Sequence, residues 1–394
     1  MSTPHIPPEL LDHVVDHLHD TKDALRNCCL VSKSWIPRTR KHLFADIRFQ
    51  TKEDLESWKE TFPNPSTSPA RYTKSLLVYC LHVVTATDGE LGGWIRNFSH
   101  VVHLRLSKYD LEGWRTSLLP FRSFSPVVKS LHLDFDAPPF PPTFDLILSF
   151  PLLEDLAINF HDEDDIYDGD GSDEVPTVIQ PSNPPTFTGS LELATPGLMV
   201  SIIPQLLSQP SGIHFRRFAV RWNREADILP TIALVEGCSH TLESLDITCK
   251  TSGVPIRCLR LRTDDLLWFP AGSAVLDLSK ATKLQDMDFR LASLSARWIN
   301  AAIQTTTPKH QDLRKITIHI PYFLTFFNVD YMKGSGIYRE WLDLDRLMVQ
   351  LWESRSPPPR VICTTWKGQS EGTMGFADCL LPELTRRGIV NLGE

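Results

Sequence analysis

The residues with chemistry to offer fall into a few groups, and each lacks something that the chemistry needs. His13 and His17 stand four apart in a stretch with helical periodicity, a spacing that zinc can use. The H-E-x-x-H pattern of metalloproteases needs Glu directly after the first His, and Val14 is there. Asp12, Asp16 and Asp20 share the polar side of the same stretch; two ligands without a third make a surface, and no metal is expected. From His161 to Glu174 the chain reads HDEDDIYDGDGSDE, eight acids with no Lys or Arg. A calcium loop needs oxygen ligands at alternate positions followed by Gly. Counting from Asp164 puts Ile166 at the third place, and counting from Asp168 puts Asp173 where Gly is needed. A solvated, mobile insertion is expected instead. Met332-Lys333-Gly334-Ser335-Gly336 completes neither a phosphate loop nor a G-x-S-x-G elbow. Cys28 and Cys29 sit in an apolar block and read as packing residues. No ordered Ser/His/Asp or Cys/His set is present. The expectation is a protein that does no chemistry and needs no cofactor; a hydrolase with an unrecognised site is the remote alternative.

Composition narrows the partners. The 394 residues carry 40 basic and 48 acidic side chains, a net charge of −8, and 42% are hydrophobic. That suits a globular chain with length for about two or three domains. Removing the eight acids of the 161–174 stretch leaves 40 acids against 40 bases. A neutral remainder argues against a nucleic-acid or anionic-membrane surface. The cluster Lys33, Arg38, Arg40, Lys41 and Arg48 reads as a solvated helix face or the rim of an interface. Eight Cys include no C-x-x-C pair, so zinc and redox motifs are not expected. The first residues lack the basic and apolar regions of a signal peptide. No run reaches the roughly 18 apolar residues of a membrane span. The expected setting is the cytoplasm or nucleus, with reduced thiols.

The elements that must position an interaction surface begin at residues 6–50. Leu10, Val14 and Leu18 lie four apart, as do Leu11 and Val15, so two apolar stripes share one predicted helix. Pro7 and Pro8 suit a helix start, and Glu9 complements the positive end of its dipole. A second apolar group spans Ala24, Leu25, Cys28, Cys29, Leu30 and Val31, then Trp35, and Pro37 is expected to end or kink the helix before it. So small a segment cannot bury all of this within itself, so the surplus face must dock on the rest of the chain or on another protein.

These residues resemble the F-box motif. Ile6, Pro7, Glu9, Leu10, Val14, Leu18, Leu25, Val31 and Trp35 fall where that motif has its Leu-Pro, Glu, aliphatic, Val and Trp positions. The run from Cys28 to Trp35 looks like the C-x-L-V-x-x-x-W block of fungal F-box proteins, and Ile6 in place of Leu is a mild departure. The resemblance covers about a tenth of the chain. It implies a three-helix module, those nine residues touching a Skp-type adaptor that in turn holds a cullin ubiquitin ligase. Which of them face the adaptor and which pack internally stays open.

Beyond residue 51 comes a predicted helix, EDLESWKETF, and a Pro/Ser-rich loop. One pattern then recurs: apolar, two residues, apolar, one residue, apolar. Examples are Val101-Leu104-Leu106, Val128-Leu131-Leu133, Leu153-Leu156-Ile158, Phe215-Phe218-Val220, Leu242-Leu245-Ile247, Leu284-Met287-Phe289 and Leu313-Ile316-Ile318, with weaker forms at Leu76-Val78 and Leu191-Leu193. From Leu76 to Ile316 the middle positions advance by 28, 27, 25, 35, 27, 27, 42 and 29 residues. Most steps fall within the roughly 20–29 of leucine-rich repeats. The acidic stretch explains the step of 35, and an irregular strand near Leu259 is expected inside the step of 42. Helices are predicted at 144–150, 198–207, 225–236 and 295–304, so each unit gives a strand and then a helix. The fold class is therefore α/β: an N-terminal three-helix F-box, 1–50, followed by an irregular leucine-rich-repeat solenoid, 51–394, with parallel sheet inside and helices outside. The Asn that the family pattern expects five residues after each middle position occurs only at Asn223, which argues against a smooth horseshoe. A cap is expected from about 338: a helix to Trp352, a strand at 360–366, and a short helix ending at Gly388 as its C-cap, with Glu383, Arg386 and Arg387 as its polar outer side.

Period two along each strand turns a second set of residues outward. One row is Arg105, His132, Ala157, Glu192, Ala219, Asp246, Asp288 and Thr317; the next holds Asp134, Asn159, Arg221, Thr248, Arg290 and His319. Both charge signs occur, which suits a protein target more than a lipid or nucleic acid. Arg105, His132, Asp134, Arg221, Asp246, Asp288, Arg290 and His319 are the candidate target-binding residues. The resemblance as a whole implies a substrate receptor of an SCF-type ubiquitin ligase. The alternative is a scaffold that binds the adaptor without ubiquitylation.

Overall fold

Strand patterning that repeats every 25 to 30 residues needs a sheet to receive it, and the computed structural model supplies a parallel one. The described residues are 7–79, 95–107, 121, 126–135, 140–160, 184–194, 199–222, 227–249, 275–290, 296–306, 309–320, 333, 336–365 and 378–392. Ile6, the acidic stretch 161–174, Asn223, the strand expected near Leu259, and Met332, Gly334 and Ser335 of the Gly-rich stretch lie outside them. The chain divides into two units, Met1–Pro185 and Thr186–Glu394.

The first unit opens with α1 (Pro8–His17), α2 (Lys22–Val31) and α3 (Ile36–Leu43), the last two linked by a 3-10 turn at Lys33–Trp35. Pro8 and Glu9 start α1 as their chemistry suggests. Pro37 differs from expectation. It ends nothing, because α2 has already stopped at Val31; it opens α3, where its missing N–H has no partner to lose. After β1 (Asp46–Phe49), α4 (Lys52–Thr61) begins with a reciprocal cap: Thr51 Oγ1 accepts from Asp54 N–H at 3.2 Å, and Asp54 Oδ2 accepts from Thr51 N–H at 3.0 Å. The unit continues with β2 (Ser75–Val78), β3 (His103–Ser107), β4 (Ser130–Phe135), α5 (Phe140–Leu148) and β5 (Asp155–Phe160). From β1 to β5 each strand pairs with the next, and all are parallel. β1 lies inside the stretch read as the helical module, so the sheet begins before residue 50. Helix α5 starts at Phe140, four residues ahead of the predicted point, because Pro141 and Pro142 suit a first helical turn.

The second unit holds β6 (Ser190–Ala194), α6 (Met199–Leu207), β7 (Arg217–Trp222), α7 (Ile228–Cys238), β8 (Ser244–Cys249) and β9 (Asp286–Arg290). It continues with α8 (Arg297–Thr305), β10 (Lys315–Ile320), α9 (Gly336–Glu353), β11 (Arg360–Thr365), α10 (Pro382–Arg386) and β12 (Val390–Leu392). Strands β6 to β12 again pair in chain order and in parallel. β12 is a strand the sequence pattern does not announce; three residues are too few to show a period.

Register makes the core. Leu76, Leu104, Leu131 and Leu156 are successive partners, as are Leu191, Phe218, Leu245, Met287, Ile316 and Val361, and all are buried. Parallel strands joined by helical crossovers carry helices against a face; the inward alternate positions are apolar, whereas the outward ones are mostly polar, with Leu77, Ala157, Ala219 and Ile362 as exceptions. Where α6 and α7 approach, a Cβ on Gly237 would stand 2.8 Å from Leu207 Cδ2, so only Gly fits unshifted. Gly388 ends α10 as predicted: at φ +65° it lets its N–H reach Thr385 O and the Ile389 N–H reach Leu384 O, both at 2.9 Å. Among the described residues no helix is long and apolar enough to cross a membrane.

Candidate functional site

Two surfaces carry the predicted residues, and they are built by different means. On α1 the two stripes part company. Val15 is buried, whereas Leu10 is 55% and Val14 49% exposed. The inner stripe packs toward α3, to which α1 is also tied by charge. Arg38 Nε donates to Asp16 Oδ1 at 2.7 Å and its Nη2 to Oδ2, while His42 Nε2 lies 2.7 Å from Asp16 Oδ1. The hydrogen bonds from Arg38, then from His42, hold the Asp16 carboxyl well below the usual carboxylate range. Arg38 is thus a part-buried clamp between α1 and α3, where the sequence suggested a solvated helix face or the rim of an interface.

The remaining predicted adaptor residues divide in the same way. Pro7 and Glu9 are exposed, and Leu18 and Trp35 are half-buried. Leu25 is fully buried with Cys28 beside it on the inner side of α2, so it holds the helices together. Val31 is 68% exposed, and Leu30, which was not singled out, is the most exposed large apolar residue described, at 86%. Its signal lay in the run Cys28-Cys29-Leu30-Val31, where four consecutive apolar residues on a helix must point at least one outward. His13 and His17 are both exposed, and among the described residues no group of three His, Cys, Asp or Glu side chains is arranged to hold a metal ion.

The second surface is the outward side of the strands. In the first unit Arg105 and Asp134 form an ion pair at 3.0 Å between β3 and β4, and His132 Nε2 meets Asn159 Nδ2 at 3.1 Å. In the second unit register brings Asp246 and Asp288 side by side on β8 and β9. Arg290 Nη2 reaches Asp246 Oδ2 and its Nε reaches Asp288 Oδ1, each at 3.4 Å, and His319 Nε2 is 3.0 Å from Asp288 Oδ1. The two carboxylates respond differently. Burial pushes Asp246 up, and the neighbouring Asp288 adds to it. Burial also pushes Asp288 up, but the hydrogen bond and charge of His319, with Arg290, outweigh it and leave it lowered. Arg221 stands on β7 with Thr248 of β8 and then Arg290 of β9 in its register, and its Nε is buried without a hydrogen-bond partner. Thr317 occupies the outward row yet is only 4% exposed, between Asp288 and Ile362. The predicted residues therefore meet as two clusters, one in each unit.

Burial pushes the thiols of Cys238 and Cys363 up to about 12, so neither is a thiolate at neutral pH. A cavity of about 660 Å³ between α8 and α9 is lined by Arg297, Asn300, Glu340 and Asp343 among others, with no Ser, Cys or His among the described residues. No family model matches the chain, and no curated protein matches it.

Proposed function

We propose that this chain is a substrate receptor of an SCF-type cullin ubiquitin ligase, working in the cytoplasm or nucleus. Its N-terminal helices act as an F-box that docks on a Skp-type adaptor, and an irregular leucine-rich-repeat array holds the target protein on its outward strand face. The observation that carries this is the exposure of Leu10, Val14, Leu30 and Val31 on α1 and α2. Three of these four coincide with the F-box positions quoted above. Four large aliphatic side chains left in water have no use in a self-sufficient helical cap. Each contributes about 1.5–3 kcal/mol when a partner takes it out of water.

The test uses the same exposure. A Leu10→Asp, Val31→Asp double variant buries nothing new in the free protein, so its stability should stay within about 0.5 kcal/mol of the parent. In the complex it would bury two unpaired carboxylates, and adaptor co-purification should be lost. Undiminished co-purification by that folded variant overturns the reading. Adaptor binding without cullin-dependent turnover of any bound protein would move it to the scaffold alternative.

A further inference from the structure

Two imidazoles meet where neighbouring turns of the second unit come together. The segment from α6 to β7 carries His214, and the segment from α7 to β8 carries His240. His214 Nδ1 stands 3.1 Å from His240 Nε2, with the rings edge to face and their centroids 5.2 Å apart. His214 is half-buried and His240 is exposed, so both can exchange protons with solvent.

The neighbours fix where the protons sit. His214 Nε2 lies 3.0 Å from the carbonyl oxygen of Ser211, which can only accept, so that nitrogen carries a proton. The ring lies over Gly212, whose φ of +69° closes the turn. A neutral His214 therefore has its lone pair on Nδ1, and His240 Nε2 donates to it. A proton added at His240 Nδ1 leaves this bond in place. A proton added at His214 Nδ1 sets two N–H groups against each other and breaks it. Among the described residues neither ring has a carboxylate partner that would hold the doubly charged pair. The charged residues on the flanking elements are Glu236 on α7, Arg216 and Arg217 at the start of β7, Glu243 before β8, and Asp277, Lys280 and Lys283 before β9. Arg216 and Glu243 lie 3.9 Å apart and offset each other.

We propose that His214 and His240 form an acid-sensitive latch between neighbouring turns of the array, closed while His214 is neutral and open once both rings carry a proton. Imidazole changes charge between about pH 5 and 8. The contribution of the bond is present at the upper end of that range and is lost as pH falls. Other ties between the same segments do not titrate: Thr241 Oγ1 donates to Phe215 O at 3.0 Å, and Glu243 N–H to Arg216 O at 2.7 Å. Acid therefore loosens the turn at Ser211–His214 and leaves the strands paired.

Hydrogen exchange of the full chain, read by mass spectrometry at about pH 7.5 and about pH 5 and corrected for the intrinsic pH dependence of exchange, tests the latch. Protection over 209–216 should fall about three- to tenfold in acid, the effect of one lost hydrogen bond. Protection over α8, which holds no group that titrates in this range, should not change. Two variants separate the latch from a general loosening by acid. His240→Leu removes the donor, so its 209–216 segment should exchange at the acid level already at the higher pH. His214→Asn places an acceptor oxygen where Nδ1 stood and cannot take up a proton, so the segment should stay protected in acid. Equal acid loosening of His214→Asn and the parent overturns the latch. Full protection of His240→Leu at the higher pH, an unchanged parent, or a fall that extends over α8 overturns it as well.

Discussion

The N-terminal helices and the strand arrays bury their apolar residues by opposite rules. In the arrays the inward strand positions are largely closed off: Leu104 and Leu106 are 1% and 0% exposed, while Arg105 between them is open, and Val390 on the last strand is half-buried. On α1 two apolar stripes run side by side: Val15 is buried and Leu11 half-buried in one, while Leu10 and Val14 of the other face water. A strand has two faces, so an apolar residue on the inward parity has one place to go. A helix offers a continuous surface, and an apolar stripe wider than the contact leaves a remainder. The arrays thus close the inward faces of their strands, although Tyr79, Leu152, Leu207, Leu229 and Val275 are exposed outside the strands, while the helical module leaves Leu10, Val14, Leu30 and Val31 in water. That difference separates a framework from the piece we propose to dock.

The comparison breaks first where the ladder is cut. Leu245 is fully buried between Phe218 and Met287 in register. Leu245→Ala should cost about 2–5 kcal/mol, since the sheet on both sides resists collapse into the cavity. Leu10→Ala removes the same atoms from a half-exposed site and should cost about 0.5 kcal/mol or less. Urea denaturation of both variants gives the ratio. Equal losses would mean that α1 packs its outer stripe after all, and the division between framework and docking piece would fall.

How far the sequence carried this picture follows from the same contrast. The strands were legible because their middle positions recur: nine of the strands, β2 to β10, lie where the pattern of apolar triplets or pairs put them, and the outward row falls in register as period two requires. β12 was not legible, because three residues carry no period. Pro37 was misread because a helix end and a helix start both tolerate Pro, and only the 3-10 turn at Lys33–Trp35 decides between them. Leu10 and Leu25 looked equivalent in sequence, and only packing shows that one faces water and the other the core. Of the outward residues, the signs of charge were plain, but the pairing of Arg290 with two carboxylates and the burial of Thr317 depend on neighbours from three strands.

A second effect sharpens the view of the array at its C-terminal end. Asp345 of α9 is buried, and its carboxylate accepts from the backbone N–H groups of Glu383 at 2.8 Å and Leu384 at 3.0 Å. It does for α10 what a capping residue does for its own helix. Asp345→Ala should leave both donors unpaired and cost about 1–3 kcal/mol. Hydrogen exchange read by mass spectrometry should accelerate over 378–392 and leave α1 to α3 unchanged. Acceleration across the whole chain would mean that the end of the array is not a local cap.

The smallest effect concerns what holds the docking piece in shape when so much of its apolar surface faces out. Asp16 joins α1 to α3 through Arg38 and His42, and the hydrogen bonds from these two residues keep its carboxyl below the usual range. A group whose folded pKa is depressed contributes stability above its unfolded value, about 3.9 for Asp. That contribution is lost as pH falls through the folded value. Asp16→Asn removes the charge at every pH. The parent should therefore protect the amides of α1 better than the variant from pH 5 to 7, with the difference shrinking as pH drops below about 4. At pH 7 the loss is modest, because a partly exposed ion pair is screened by solvent, and Val15, Leu25 and Cys28 still pack the interior. High salt at pH 7 should narrow the same difference. If it is unchanged between pH 6 and pH 3, the clamp is not electrostatic. The buried stripe alone would then set the angle of α1, and with it the direction in which Leu10 and Val14 are presented.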